Sequence, residues 1–162
     1  MARADGAHVV GLISDTHGLL RAGVHDALRG VETILHAGDV GGDEILDELG
    51  LIAPVEAVYG NTDTPGDPRL KSTIVREIGG LVIQVQHGHE SGRLSADALL
   101  ERFNADVIVY GHTHRQLVTR REGRLVINPG AAGPRRFHLM PSVARLTIRD
   151  GEAEVEIVSL PV

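Results

Sequence analysis

Val9-Val10-Gly11-Leu12-Ile13-Ser14-Asp15-Thr16-His17-Gly18 is a short apolar run that ends in metal-ligand side chains. Far along the chain, Val107-Ile108-Val109-Tyr110-Gly111-His112-Thr113-His114 repeats the arrangement. A nearly continuous apolar run of this length is the pattern of a strand buried on both faces. In open α/β sheets, sites are built at the carboxyl ends of such strands. Two strand ends of this kind, distant in sequence, imply one shared site.

The chain around the first run alternates. A strand over about 8–14 leads into an amphipathic helix over about 20–29, with Val24 and Leu28 on one face. Thr33-Ile34-Leu35-His36 is a second strand, followed by Gly38-Asp39 and a helix over 43–50 that turns Ile45, Leu46 and Leu49 inward. Residues 53–59 form a third strand that ends at Gly60-Asn61. A βαβαβ order gives parallel strands with helical crossovers. Residues 62–69, rich in Thr, Pro, Gly and Asp, read as a loop.

The second half turns to hairpins. They pair 73–78 with 81–86 around Gly79-Gly80, 116–121 with 124–128 around Glu122-Gly123, and 142–149 with 152–159 around Asp150-Gly151. Between them stand a helix over 95–103, capped by Ser95, and the strand over 106–110. The expectation is a two-sheet sandwich with helices outside, its first sheet rich in parallel strands and its second rich in antiparallel ones.

Composition narrows the function. At 162 residues the chain fits a single domain with a real core. A net charge of −6 and 2% aromatic residues argue against a general nucleic-acid-binding surface, since the surface as a whole does not attract polyanions and few rings are left for stacking bases. The absence of Cys excludes disulfides, thiolate metal sites and thiol catalysis. No apolar stretch is long enough to span a bilayer and the first residues do not lead into a secretory apolar region, so the expected location is cytoplasmic, with no membrane partner. Homo-oligomerisation stays open.

Asp15 and His17, Asp39, Asn61, His87, and His112 and His114 each lie at the end of an apolar run or in the loop after it. Seven oxygen and nitrogen donors are too many for one transition ion that keeps an open position, and suit two. Carboxylate, amide and imidazole without sulfur fit Mn²⁺, Fe²⁺, Co²⁺, Ni²⁺ or Zn²⁺. Any one of these pieces alone is an ordinary turn or edge strand; all of them in order are not.

The sequence resembles the calcineurin-like metallophosphoesterases, in particular their small bacterial and archaeal phosphodiesterase branch. The resemblance rests on Asp15-Thr16-His17-Gly18, Gly38-Asp39, Gly60-Asn61-Thr62-Asp63, His87-Gly88-His89, Gly111-His112-Thr113-His114 and Asn128-Pro129-Gly130. It implies a single metallophosphoesterase domain over 1–162, an αββα sandwich of two mixed β-sheets flanked by helices. It also implies two divalent ions, Mn²⁺ foremost. Asp15, His17 and His114 would hold one, Asn61, His87 and His112 the other, and Asp39 would bridge them. A small phosphate ester would be hydrolysed by direct attack of the bridging hydroxide on phosphorus. Two ions bring four positive charges; Asp15, Asp39 and the hydroxide cancel three, so a phosphodiester monoanion leaves the site neutral.

The pattern departs from the family in places. Larger members carry a histidine after the Gly-Asn, which protonates the leaving group; here it is Thr62. His89 is the candidate substitute, and Asp63 is expected to support a ligand. The Ser that usually follows Asn-Pro-Gly is Ala131, and Arg135 or Arg136 is the candidate phosphate clamp beside Asn61. His36 is expected to brace the site; His8, His25 and His138 have no evident partner. Gly41-Gly42-Asp43 lacks the Asp-Arg-Gly of protein phosphatases. The rival function is a non-catalytic, metal-binding interaction scaffold of the same fold, as in a retromer coat subunit. A nuclease subunit would need a basic groove or extra domains.

Overall fold

The computed structural model describes residues 6–161 apart from Pro65, Ser91, Arg93 and Phe137. His8–Ile13 (β1), Gly23–Ala27 (α1), Thr33–His36 (β2), Asp43–Gly50 (α2), Val55–Val58 (β3) and Leu70–Lys71 (β4) form the first half. Ile74–Ile78 (β5), Leu81–Val85 (β6), Ala96–Arg102 (α3), Val107–Val109 (β7), Leu117–Arg121 (β8), Arg124–Asn128 (β9), Ser142–Arg149 (β10) and Glu152–Ser159 (β11) follow. The sheets run β11-β10-β1-β2-β3-β4 and β5-β6-β7-β9-β8.

Three apolar clusters define four layers. Val10, Leu12 and Leu35 meet Ile83, Val85, Val109 and Ile127 between the sheets. Val9, Ile13 and Ile34 face Val24, Leu28, Ile45 and Leu49 on the α1 and α2 side. Ile108, Tyr110 and Val126 face Leu99 on the α3 side. The arrangement is an αββα sandwich of two mixed sheets.

Two expectations are corrected. The β10–β11 hairpin does not extend the later sheet: β10 pairs antiparallel with β1, Val10 opposite Leu146, inside the first. The reason is burial on both faces of β10, where Val143 joins the cluster under the helices and Ala144, Leu146 and Ile148 join the one between the sheets. Such a strand needs an interior position, and β11 takes the edge with its glutamates, charges that discourage strand addition. The helix expected over 20–29 is only Gly23–Ala27; Ala22 at its start makes no side-chain cap, and Gly30 turns the chain out at φ 82°. Leu28 still reaches the core, its N–H bonded to Val24 O at 2.9 Å. The α2 helix and the Ser95 cap, which accepts from Ala98 N at 3.1 Å, lie where sequence puts them.

The topology matters for the site. In the first sheet β1, β2 and β3 run parallel, and in the second β6, β7 and β9 do. Their carboxyl ends meet on one rim of the sandwich: Ala132 N–H donates to Ser14 O at 2.9 Å, and His87 Nδ1 lies 2.8 Å from Ala37 O. No helix among the described residues is long and apolar enough to cross a membrane.

Candidate metal centre

The backbone at this rim is unusual. Asp15, His17, Asp39, His112 and His114 have φ of 54°, 47°, 55°, 69° and 63°, the left-handed region that L-residues avoid. The other described non-glycine residues there, Glu122 and Asp150, sit in tight hairpin turns. Left-handed residues cost about 1–3 kcal/mol each and collect at functional sites. The chain also passes close to the carboxylates. A Cβ on Gly60 would fall 2.0 Å from Asp39 Oδ1, and one on Gly111 would fall 2.6 Å from Asp15 Oδ2, so only glycine fits at either place.

All seven sequence-predicted ligand side chains converge here. Asp15 Oδ1 lies 3.4 Å from His114 Nε2 and 3.7 Å from His17 Nε2, and the two imidazole nitrogens are 3.3 Å apart. Asn61 Oδ1 lies 3.0 Å from His87 Nε2 and 3.1 Å from His112 Nδ1. Asp39 Oδ2 sits between the groups, 3.6 Å from His17 Nε2 and 3.3 Å from His87 Nε2. Asp15, Asp39, His87 and His114 are buried, whereas Asn61 and His112 are exposed, so the second group faces solvent.

Two observations test whether this set suits cations. Asp15 Oδ1 is buried and makes no hydrogen bond, a costly state for a carboxylate oxygen unless a positive charge sits beside it. In addition, a neutral His87 that donates from Nδ1 to Ala37 O turns the lone pair of Nε2 toward Asn61 Oδ1, another acceptor. Two facing acceptors need a proton or a metal between them. Burial pushes the His87 pKa down, but Asp39 and Asp15 outweigh it and raise it, so the carboxylates favour positive charge at this ring. Burial likewise favours neutral Asp15 and Asp39. The nitrogens of His114 and His17 beside Asp15, and His87 and the Thr62 N–H beside Asp39, outweigh it: Asp15 stays well below the usual carboxylate range and Asp39 falls to about 2. The donors therefore fit divalent ions.

The loops are braced by polar residues that are not themselves in the ligand set. Asp63 accepts from Val40 N (3.0 Å), Gly41 N (3.1 Å) and Gly60 N (3.0 Å), tying the Asp39 loop to the Asn61 loop. Thr16 Oγ1 donates to Val40 O at 2.7 Å, so it must accept from His36 Nε2 at 3.0 Å, while His36 Nδ1 accepts from Gly38 N. That pair of roles makes His36 a neutral tautomer, and burial lowers its pKa to about 4. Asn128 Nδ2 donates to Gly111 O (3.2 Å) and Thr113 Oγ1 (3.0 Å), holding the turn that separates His112 from His114. Sequence reasoning missed Ser14, whose hydroxyl donates to Asp15 Oδ2 at 2.6 Å; only its place before Asp15 signalled it.

The remaining candidates are less embedded. The His89 ring lies 5.4 Å from that of His87 and 6.1 Å from that of Tyr59, with Nε2 3.4 Å from Glu90 Oε1. Arg135 and Arg136 are exposed, on a loop whose Gly133 touches the Thr16 backbone. A third arginine, Arg115, lines a cavity that His114 also lines. His8 and His25 do have partners, Glu32 and Glu48, each at 2.9 Å.

A family model described as a calcineurin-like phosphoesterase superfamily domain matches residues 9–151. The chain belongs to that superfamily. Among curated proteins it is 37% identical to a probable metallophosphoesterase of Methanothermobacter thermautotrophicus, over 93% of this chain and 91% of the other. It is 30% identical to a phosphodiesterase of Methanocaldococcus jannaschii, over 75% and 82% respectively. Among solved structures, wild-type Vps29 complexed with Zn²⁺ from Entamoeba histolytica superposes with a TM-score of 0.74 at 27% identity, covering 93% of this phosphoesterase and 98% of Vps29.

Proposed function

We propose that this phosphoesterase hydrolyses a small phosphodiester with two divalent ions. Asp15, His17 and His114 hold one, Asn61, His87 and His112 the other, and Asp39 serves both. Mn²⁺ leads the candidates, and Ni²⁺, Fe²⁺, Co²⁺ and Zn²⁺ suit the same donors. The observation that carries the reading is the buried Asp15 Oδ1, without a hydrogen bond and ringed by imidazole nitrogens. Family membership and the phosphodiesterase relative support the diester class.

When bound, the ions supply Lewis acidity, an activated water and charge neutralisation on the phosphoryl oxygens. The protein's own groups do the orienting. Ala37 O fixes the His87 ring, and the Thr62 N–H holds Asp39 Oδ1 at 2.9 Å, which turns Oδ2 toward His17 and His87. With Asn61 Oδ1 committed to the His87 and His112 side, its amide nitrogen donates to a phosphoryl oxygen. Arg135 and Arg136 meet the free oxygens from the loop above Thr16, and His89 delivers the proton to the departing alkoxide. No protein nucleophile is required.

Purified protein should release p-nitrophenol from bis-p-nitrophenyl phosphate with Mn²⁺ or Ni²⁺ and lose that activity to a chelator. No turnover with any of the five ions refutes the hydrolase. The likeness to Vps29 favours one second reading, a metal-binding interaction scaffold without catalysis. Tight ion binding without turnover would select it.

A further inference from the structure

Beyond β9 the chain runs Pro129-Gly130-Ala131-Ala132-Gly133-Pro134-Arg135-Arg136. Its first part is fixed. Gly130 N–H donates to Asn128 Oδ1 at 2.9 Å, Ala132 N–H to Ser14 O at 2.9 Å, and Gly133 N–H to Asp15 O at 3.3 Å. Ala131, Ala132 and Gly133 are buried, whereas Pro134, Arg135 and Arg136 are exposed. The joint between the two parts is the Gly133–Pro134 peptide. Pro134 has no N–H to tie that peptide down, and its ring sets φ on the far side. A Cβ on Gly133 would fall 2.0 Å from Thr16 O, so the position must be glycine, and glycine leaves ψ as the loose torsion. A turn of the Gly133 carbonyl therefore swings both arginines that follow it.

Arg21 holds that carbonyl. From the loop between His17 and α1, its Nε–H donates to Gly133 O at 3.0 Å. The Arg21 side chain is half-buried, and its own backbone is anchored where Arg21 O accepts from Val24 N–H at 3.1 Å. A bond from a charged guanidinium is stronger than one from a neutral donor. Among the described residues no carboxylate pairs with Arg21, and the Gly133 carbonyl is the one group its guanidinium bonds. Gly133 is thus gripped at both ends of its residue, its N–H by Asp15 and its carbonyl by Arg21. On the far side of the arginines, Leu139 N–H donates to Arg136 O at 3.0 Å and closes the turn.

We propose that Arg21 is a positioning residue for the phosphate clamp: by fixing the Gly133 carbonyl it sets the angle at which Arg135 and Arg136 meet the ester, without touching substrate itself. The inference rests on the hydrolase reading above and its clamp, and the test separates them. Steady-state kinetics with bis-p-nitrophenyl phosphate and Mn²⁺ compares the wild type, Arg21→Met, the clamp variant Arg135→Ala/Arg136→Ala and the triple variant. Methionine keeps an apolar stem and removes the donor. Arg21→Met should raise KM about tenfold, the low end of what an orienting residue is worth. Its kcat should stay within about twofold, the pattern of lost uniform binding. The clamp variant should raise KM at least as far. Adding Arg21→Met to it should change KM by less than about twofold, because residues that act as one unit are not additive. Mn²⁺ affinity in Arg21→Met, read by isothermal titration, should equal that of the wild type, since the Gly133 N–H bond to Asp15 O remains. Pro134→Ala frees the same joint at an exposed position and should raise KM in the same direction, which carries the test if Arg21→Met does not fold. An unchanged KM in Arg21→Met or in Pro134→Ala overturns the proposal. Additive losses in the triple variant would mean that Arg21 acts on substrate directly, and weakened Mn²⁺ binding that it acts on the Asp15 loop; either overturns it. A wild-type KM in the clamp variant removes the clamp and the positioning role while leaving the hydrolase standing. No turnover by the wild type brings down the hydrolase reading, and this inference with it.

Discussion

The two halves of the proposed metal centre are built differently. Around Asn61, His87 and His112 the side chains close on one another: Ala37 O fixes the His87 ring, and Asn61 Oδ1 lies 3.0 Å from His87 Nε2 and 3.1 Å from His112 Nδ1. Around Asp15, His17 and His114 they do not. Asp15 Oδ1 and His114 Nδ1 are both buried without a hydrogen bond. The Asn61 half closes on its own contacts, whereas the buried Asp15 Oδ1 keeps an unmet demand for positive charge beside it. The difference teaches that a symmetric-looking ligand list can hide an asymmetric energy, with preorganisation concentrated in the half that cannot collapse.

Asp39 belongs to both halves, so its loss should erase the contrast along with the activity. Asp39→Ala is expected to lower kcat by at least about 10³-fold, several kcal/mol of lost charge stabilisation, with an unchanged far-UV circular dichroism spectrum. Near-normal turnover would refute its shared role. Asp63 touches only backbone, yet it ties the Asp39 loop to the Asn61 loop. Asp63→Ala should cost about 10–100-fold in affinity for Mn²⁺ or in activity, the usual cost of losing a residue that orients ligands. Isothermal titration of the variant reads this directly, and wild-type affinity would show that the loops hold without it.

Filling order sharpens the comparison most. An unsatisfied buried group costs about 1–3 kcal/mol, so the first Mn²⁺ should enter the Asp15 half about tenfold more tightly than the second enters the other. In an electron paramagnetic resonance titration His114→Ala should remove the tighter phase and Asn61→Ala the weaker one. The reverse pattern breaks the argument. The smallest effect concerns His36, which braces both halves through Thr16 and Gly38. Its folded pKa of about 4 lies below its ordinary value of 6.5, so between those pH values the unfolded chain binds the proton more readily. Stability from this group is complete above that window and lost as pH falls through it. His36→Gln should flatten the pH dependence of the urea midpoint there; identical profiles would exclude the contribution.

Much of this arrangement is legible in the sequence because strand ends carry it. Five apolar runs, ending before Asp15, Asp39, Asn61, His87 and His112, each predict a strand and are each followed by a candidate ligand, so the rim can be read before the sheets are known. The Asn61-Thr62-Asp63 run even points to the brace on the Asn61 loop. Pairing is another matter. Nothing local states that Val10 will sit opposite Leu146, because register between strands this far apart is decided by packing against both neighbouring layers. The near-continuous burial of Val143, Ala144, Leu146 and Ile148 is the clue that β10 is an interior strand. The two-residue β4 is too short to show any period, and exists because Leu70 pairs beside Ala57. Arg115 carries no such signal beside the His112-Thr113-His114 motif, because lining a cavity is a property of the folded surface.

The left-handed backbone at Asp15, His17, Asp39, His112 and His114 has a consequence for anyone engineering this chain. Glycine would occupy those five positions with less strain than the residues found there. A campaign that ranks variants by melting temperature alone would therefore be rewarded for erasing the proposed ligands one by one, arriving at a sturdier sandwich with a blank rim.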